Sequence, residues 1–141
     1  VSELAREAIV DKLGYLDIPL AELYNKKKSG NPGFDFHSQS LDEVIIFGEA
    51  KYLDDRNAYG SGLKQIVRFI SDKKDIKDLA DLRDFCSQNA LSSVSKGTKG
   101  FAVAFSTKST PSDTLVSNII KNKDFTSLLQ YQEIIIVAVN I

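Results

Sequence analysis

Gly33-Phe34-Asp35-Phe36-His37, a short polar turn, and then Val44-Ile45-Ile46-Phe47-Gly48-Glu49-Ala50-Lys51 form the stretch that decides the fold. It reads as two strands in hairpin connection. An aspartate opens the first strand and a Glu-x-Lys closes the second. Side chains two apart on a strand project to the same face. Glu49 and Lys51 therefore point together, and Ala50 points the other way, into a core. Antiparallel pairing brings Asp35 beside Glu49. Two carboxylates side by side repel, so stability does not account for them. A divalent cation shared between them does, with Lys51 facing a water or a phosphate.

Working outward, residues 2–13 read as a helix with Ser2 as N-cap and Gly14 as its stop. Leu4, Ala5, Ala8, Ile9 and Leu13 form its apolar stripe, and Glu3 and Glu7 lie beside it. Glu7, mid-helix, is the candidate for a further acid facing the metal site; a solvated helix carboxylate is the alternative. Pro19 either breaks a helix or starts one. Leu20, Leu23 and Tyr24 suit a short helix, but a strand over roughly 20–27 is the favoured reading. Lys26, Lys27 and Lys28 precede Ser29-Gly30-Asn31-Pro32-Gly33, a dense turn cluster. The lysines are either solubility charges or phosphate contacts beside the site.

After the hairpin, residues 53–57 form a polar loop, and a helix runs over about 61–73 with Leu63, Ile66, Val67 and Ile70 inward. Gln65 and Arg68 fall together off that stripe. Residues 75–89 read as a second helix with Ile76, Leu79, Leu82 and Cys86 inward, and Cys86 as a core thiol. Residues 90–99 read as a linker and 100–107 as a strand buried on both faces. A helix follows over 112–122, a short helical turn over 124–131, and a β-branched buried strand over 133–141. The order predicts one α/β domain, a mixed sheet flanked by helices.

Length and composition bound the rest. The 141 residues make one domain with a single core. A net charge of −1 excludes a globally basic nucleic-acid binder, so any DNA contact is a local patch. Lys26, Lys27, Lys28, Lys64, Arg68, Lys96 and Lys99 are its candidates. The single cysteine excludes an internal disulfide and fits a reducing, cytoplasmic compartment. No apolar run reaches membrane-spanning length, and no signal peptide is recognisable, so no membrane association is expected. There is no methionine, and the chain is expected to be a fragment of a longer one, with sequence preceding Val1.

Hydrolysis of a phosphodiester needs a bound phosphate, an attacking water and charge relief at the leaving oxygen. Asp35 and Glu49 offer hard oxygen ligands suited to Mg²⁺ or Mn²⁺, and the Ala50 carbonyl a third. Lys51 can orient the water or neutralise the phosphate, and Gln65 can hold either. His37, the only histidine, lies on the Asp35 face. It reads as a support or substrate contact, or as an ordinary hydrogen-bonded strand residue. One histidine and one cysteine build no zinc site.

Gly33-x-Asp35, the apolar run into Glu49-Ala50-Lys51, and Gln65 on the next helix resemble the PD-(D/E)XK restriction-endonuclease-like superfamily. The resemblance implies an αβββαβ core and a Mg²⁺-dependent endonuclease. Asp35 and Glu49 would be metal ligands, Lys51 the catalytic lysine, Glu7 the first-helix acid and Gln65 the auxiliary residue. More narrowly, Ile18-Pro19, Lys26-Lys27, Gly33-Phe34-Asp35 and Gly48-Glu49-Ala50-Lys51 are similar to the DUF1837-type nuclease subunit of the Hachiman anti-phage defence system. That implies a DNA nuclease with a helicase partner. A homodimer is also open, because cutting both strands often uses two sites. The competing expectations are a catalytically inactive relative that binds nucleic acid or protein, and a plain Glu49–Lys51 ion pair in a partner-binding domain.

Overall fold

The computed structural model describes residues 1–20, 33–52, 58–107 and 113–140. The hairpin forms where alternation predicts it: β1 (Phe36–Gln39) pairs antiparallel with β2 (Ile45–Lys51), with Phe36 opposite Gly48. Ser40 closes the turn, its N–H donating to the Val44 carbonyl and its Oγ accepting from the Val44 N–H at 3.1 Å. The first strand begins at Phe36 rather than Gly33. The reason lies in the two phenylalanines. Phe34 is buried on one face of the sheet and Phe36 on the other, so the chain breaks period-two alternation at Asp35.

Helix α1 (Ser2–Leu13) precedes the hairpin, ending at Gly14 in the left-handed conformation (φ 70°). Val1, not Ser2, occupies the N-cap, and no side chain caps it. After β2 come α2 (Ala58–Ser71), α3 (Lys74–Leu82), α4 (Gln88–Val94), β3 (Gly100–Thr107), α5 (Asp113–Lys121), α6 (Lys123–Leu128) and β4 (Glu133–Asn140). The sheet order is β1-β2-β3-β4, with β2, β3 and β4 parallel. This is the expected α/β domain with a mixed sheet flanked by helices. The strand expected over 20–27 falls on undescribed residues except for Leu20, which is helical. The loop at 53–57 also lies outside the described residues.

The pleat sorts the helices. Ile46, Phe36, Ala102 and Ala104 face α1 through Ala5 and Ile9. Ile45, Phe47, Phe101 and Val103 face the opposite way, onto Leu63 and Ile66 of α2, Leu82 of α3 and Leu91 of α4. Helices α5 and α6 cover the same face, through Ile119 and Phe125. Aromatic rings fill its centre: Phe34 lies 5.3 Å from both Phe47 and Phe69, and Phe101 lies 5.1 Å from Tyr131. Such tilted and edge-on pairs each add about 0.5–1.5 kcal/mol beyond area burial.

Three expectations are corrected. The helix expected over 75–89 ends at Leu82, and α4 takes in residues 88 and 89 together with 90–94 of the expected linker. Ser87 makes the break by capping α4, its side chain accepting from the Ala90 N–H at 3.1 Å. The inward face of α3 is also rotated: Ile76 is exposed while Asp75, Asp78, Asp81 and Leu82 are buried. Asp75 takes Lys99 as its partner, and Asp78 takes His37. Finally β4, expected to be buried, is half-exposed, because among the described residues it lies at the edge of the sheet. β3, with a neighbour on each side, is buried as expected. No helix among the described residues is long and apolar enough to cross a membrane.

Candidate active site

Glu49 and Lys51 sit at the carboxyl end of β2, on the face that carries Ile45 and Phe47. Ligand sites of open α/β sheets gather outside this end of parallel strands. Lys51 Nζ is 3.9 Å from Glu49 Oε1, so the two project together as the i, i+2 spacing requires. Glu49 is 4% exposed, and its Oε2 has no hydrogen-bond partner. Asp35 lies alongside. Its N–H donates to the Gly48 carbonyl at 2.9 Å, and its Oδ2 accepts from the Ala50 N–H at 2.9 Å. An aspartate side chain thus takes a bond that a strand partner would otherwise receive, which fixes its carboxylate at the end of β2.

The electrostatics follow from burial. The Glu49 carboxyl is pushed up to about 9, first by loss of water and then by the neighbouring Asp35 carboxylate. Lys51 pulls it down, and Asp78 adds a smaller upward push. A buried acid held protonated against another acid is a site in which a cation would replace a proton.

Helix α2 closes over the pair through Gly62. A Cβ there would fall 2.5 Å from Val103 Cγ2 and 3.5 Å from Lys51 Cγ. Glycine at this position lets the helix lie against the β2–β3 seam beside the lysine stem. Gln65, half-buried, stands one turn further along α2.

The structure brings Asp35, Glu49, Ala50 and Lys51 together. It does not bring Glu7 to them. Helix α1 covers the opposite face of the sheet, and the Glu7 carboxylate is exposed, 3.9 Å from Arg6. Arg6 is itself buried and bonded to Asp17 and Glu3. Lys64 and Arg68 are exposed, one turn apart on α2. Lys26, Lys27 and Lys28 lie outside the described residues. Lys96 is exposed, but Lys99 is buried against Asp75 and over the Tyr131 ring, so it is not free for a phosphate. Cys86 is a buried core thiol, as expected, pushed up to about 12 by burial.

Sequence reasoning missed Asp78. It is 1% exposed on α3, and its Oδ2 accepts from the Phe34 N–H at 3.0 Å and lies 2.8 Å from His37 Nε2. The available signal was the spacing of three in Asp75, Asp78 and Asp81, which puts acids on one side of a helix. His37 is a buried, hydrogen-bonded strand residue whose ring also meets Phe47 edge-on.

Among the described residues, no cluster of three or more His, Cys, Asp or Glu is arranged to hold a metal ion. The candidate donor set is two carboxylates and a carbonyl: Asp35, Glu49 and Ala50. It is all hard oxygen, the donor type that suits a Mg²⁺-type ion, and Glu49 Oε2 has no hydrogen-bond partner. No family model, curated protein or solved structure matches the chain.

Proposed function

We propose that the chain is a metal-dependent nuclease of the PD-(D/E)XK type, hydrolysing phosphodiester bonds. One observation carries the reading: a buried Glu49 with a partnerless oxygen, beside Asp35, with the Lys51 ammonium 3.9 Å away on the same face. A surface ion pair is worth about 0–1 kcal/mol. That small gain does not account for burying one acid beside another.

Asp35, Glu49 and the Ala50 carbonyl would hold Mg²⁺ or Mn²⁺. Bound there, the ion supplies charge neutralisation at the scissile phosphate. Lys51, with its stem packed under Gly62, presents its ammonium to orient the attacking water and offset charge on the phosphoryl oxygens. Gln65 serves as a hydrogen-bonding group for that water or a phosphate oxygen. Lys64 and Arg68, on the exposed side of the same helix, offer backbone phosphate contacts.

Within that class, the chain's Gly33-Phe34-Asp35 and Gly48-Glu49-Ala50-Lys51 support a DNA nuclease of anti-phage defence, of the DUF1837 type that works with a helicase, or of restriction. The second reading, an inactive relative that binds nucleic acid or protein, draws on the absence of a three-ligand cluster among the described residues.

The test is cleavage of duplex and single-stranded DNA with Mg²⁺ or Mn²⁺, with and without EDTA. Cleavage is expected only with free metal, and Lys51→Ala is expected to lower the rate about 10²–10⁴-fold, the range for a positioned proton-handling group. Cleavage that survives EDTA and Lys51→Ala removes the proposed site. Metal-independent binding of DNA without cleavage selects the second reading.

A further inference from the structure

We propose that Asp78 is the positioning residue of the Asp35–Glu49 site, a clamp on α3 that holds the Gly33–His37 segment so that Asp35 stays beside Glu49. The inference rests on the reading of Asp35 and Glu49 as a metal site and assigns that site a further residue.

The segment needs holding. Phe34 and Phe36 go to opposite faces of the sheet, so Asp35 sits where the strand has lost its alternation. Ladder bonding begins only at Phe36. Among the described residues, two sets of hydrogen bonds help to fix the residues before it. One comes from the edge of β2, through the Gly48 carbonyl and the Ala50 N–H. The other comes from Asp78, whose Oδ2 receives the Phe34 N–H at 3.0 Å and lies 2.8 Å from His37 Nε2. A single oxygen thus grips the chain on both sides of Asp35. The shared Oδ2 is the acceptor in this pairing, with Nε2 of His37 as its ring partner.

Gly33 shows how close the clamp is. A Cβ on Gly33 would fall 1.8 Å from Asp78 Oδ1, so any side chain there displaces the aspartate or the turn. The arrangement is poor for stability. Asp78 and His37 are each 1% exposed, and Asp78 Oδ1 and His37 Nδ1 have no partner. A buried polar group left without a partner destabilises the fold. Asp78 also adds a third acid to the neighbourhood of Glu49. A satisfied apolar packing of α3 on the hairpin would avoid these costs, and Ile76 is available on the same helix but faces solvent. The geometry is explained by what the clamp fixes: the direction of Asp35. Groups that orient metal ligands typically change affinity about 10–100-fold when removed.

The experiment uses Mn²⁺ alone as the probe, with the whole chain, and reads two quantities. One is the Mn²⁺ dissociation constant by electron paramagnetic resonance. The other is amide hydrogen exchange at Phe34. Asp78→Asn keeps an acceptor oxygen for both donors. It is expected to hold Phe34 protection and to bind Mn²⁺ within about threefold of the wild type, while Asp78→Ala loses the protection and binds about 10–100-fold more weakly. Gly33→Ala, which displaces the Asp78 carboxylate or the turn without removing a side chain, is expected to follow Asp78→Ala. It decides the matter if Asp78→Ala does not fold. Undiminished Phe34 protection in Asp78→Ala and Gly33→Ala overturns the clamp. Lost protection with wild-type Mn²⁺ affinity overturns the positioning role. A wild type that binds no Mn²⁺ overturns the metal reading and with it the positioning role, while the Phe34 pattern still reports on the clamp itself.

Discussion

Glu49→Gln is expected to stabilise the metal-free protein at pH 7 while removing metal-dependent cleavage. The two effects share one cause. The folded protein holds a proton on Glu49 up to about pH 9, whereas the unfolded chain releases it near the ordinary value of 4.5. Between those values the folded state binds one proton more, so stability falls as pH rises. Below about 4.5 both states are protonated, and the group contributes no difference. At pH 7 the accumulated cost is about 3 kcal/mol, from 1.36 kcal/mol per unit. Glutamine is neutral at every pH and does not incur it. The difference in unfolding free energy between Glu49→Gln and wild type is expected to grow steadily from pH 5 to pH 9 in urea titrations without metal. Saturating Mg²⁺ is expected to restore stability to the wild type and not to the variant, because a ligand that binds only the folded state stabilises it. Cleavage by the variant is expected to fall below about 1% of wild type, since losing a ligand exceeds the roughly 100-fold cost of losing a supporting group. A difference that does not change with pH would mean that Glu49 is an ionised partner of Lys51 and nothing more.

The second large effect is the pH dependence of metal binding itself. A cation needs the Glu49 carboxylate, and the carboxyl titrates at about 9. Well below that value each unit lowers the apparent affinity about tenfold, and because half of the carboxyl is already ionised at pH 9, Mg²⁺ is expected to bind about 50-fold more weakly at pH 7 than at pH 9. At pH 7 about one proton is released per ion bound, falling to about half at pH 9. Calorimetry in two buffers of different ionisation enthalpy reads this number directly. Affinity that is flat from pH 7 to pH 9, with no proton released, excludes Glu49 as a ligand. In Glu49→Gln the proton release is expected to vanish.

What was legible in the sequence is what short-range geometry encodes. Period two placed Glu49 and Lys51 on one face, and the hairpin placed Asp35 beside Glu49, as the Asp35 bonds to Gly48 and Ala50 show. The αL stop at Gly14 and the doubly buried β3 were legible for the same reason. The inward face of α3 was not. Ile76, Leu79 and Leu82 make a thin apolar stripe, and Asp75, Asp78 and Asp81 make an equally regular acidic one beside it. Which stripe turns inward depends on Lys99 and on the His37–Phe34 segment, partners that come from other elements. A similar limit applies to β4. A run of β-branched residues states that a strand is apolar, not whether a neighbour covers its second edge. Glu7 illustrates the converse. Its place on the first helix suggested the site, yet the pleat sends α1 to the face that Glu49 does not occupy.

The most direct test of the account is an anomalous-scattering map from crystals of the protein soaked in Mn²⁺ at pH 8.5 or above. One peak is expected between the Asp35 and Glu49 carboxylates, at about 2.1 Å from oxygen as for a small octahedral cation, with the Ala50 carbonyl in its shell. A map with no peak between those two carboxylates, at a Mn²⁺ concentration high enough to displace the Glu49 proton, contradicts it.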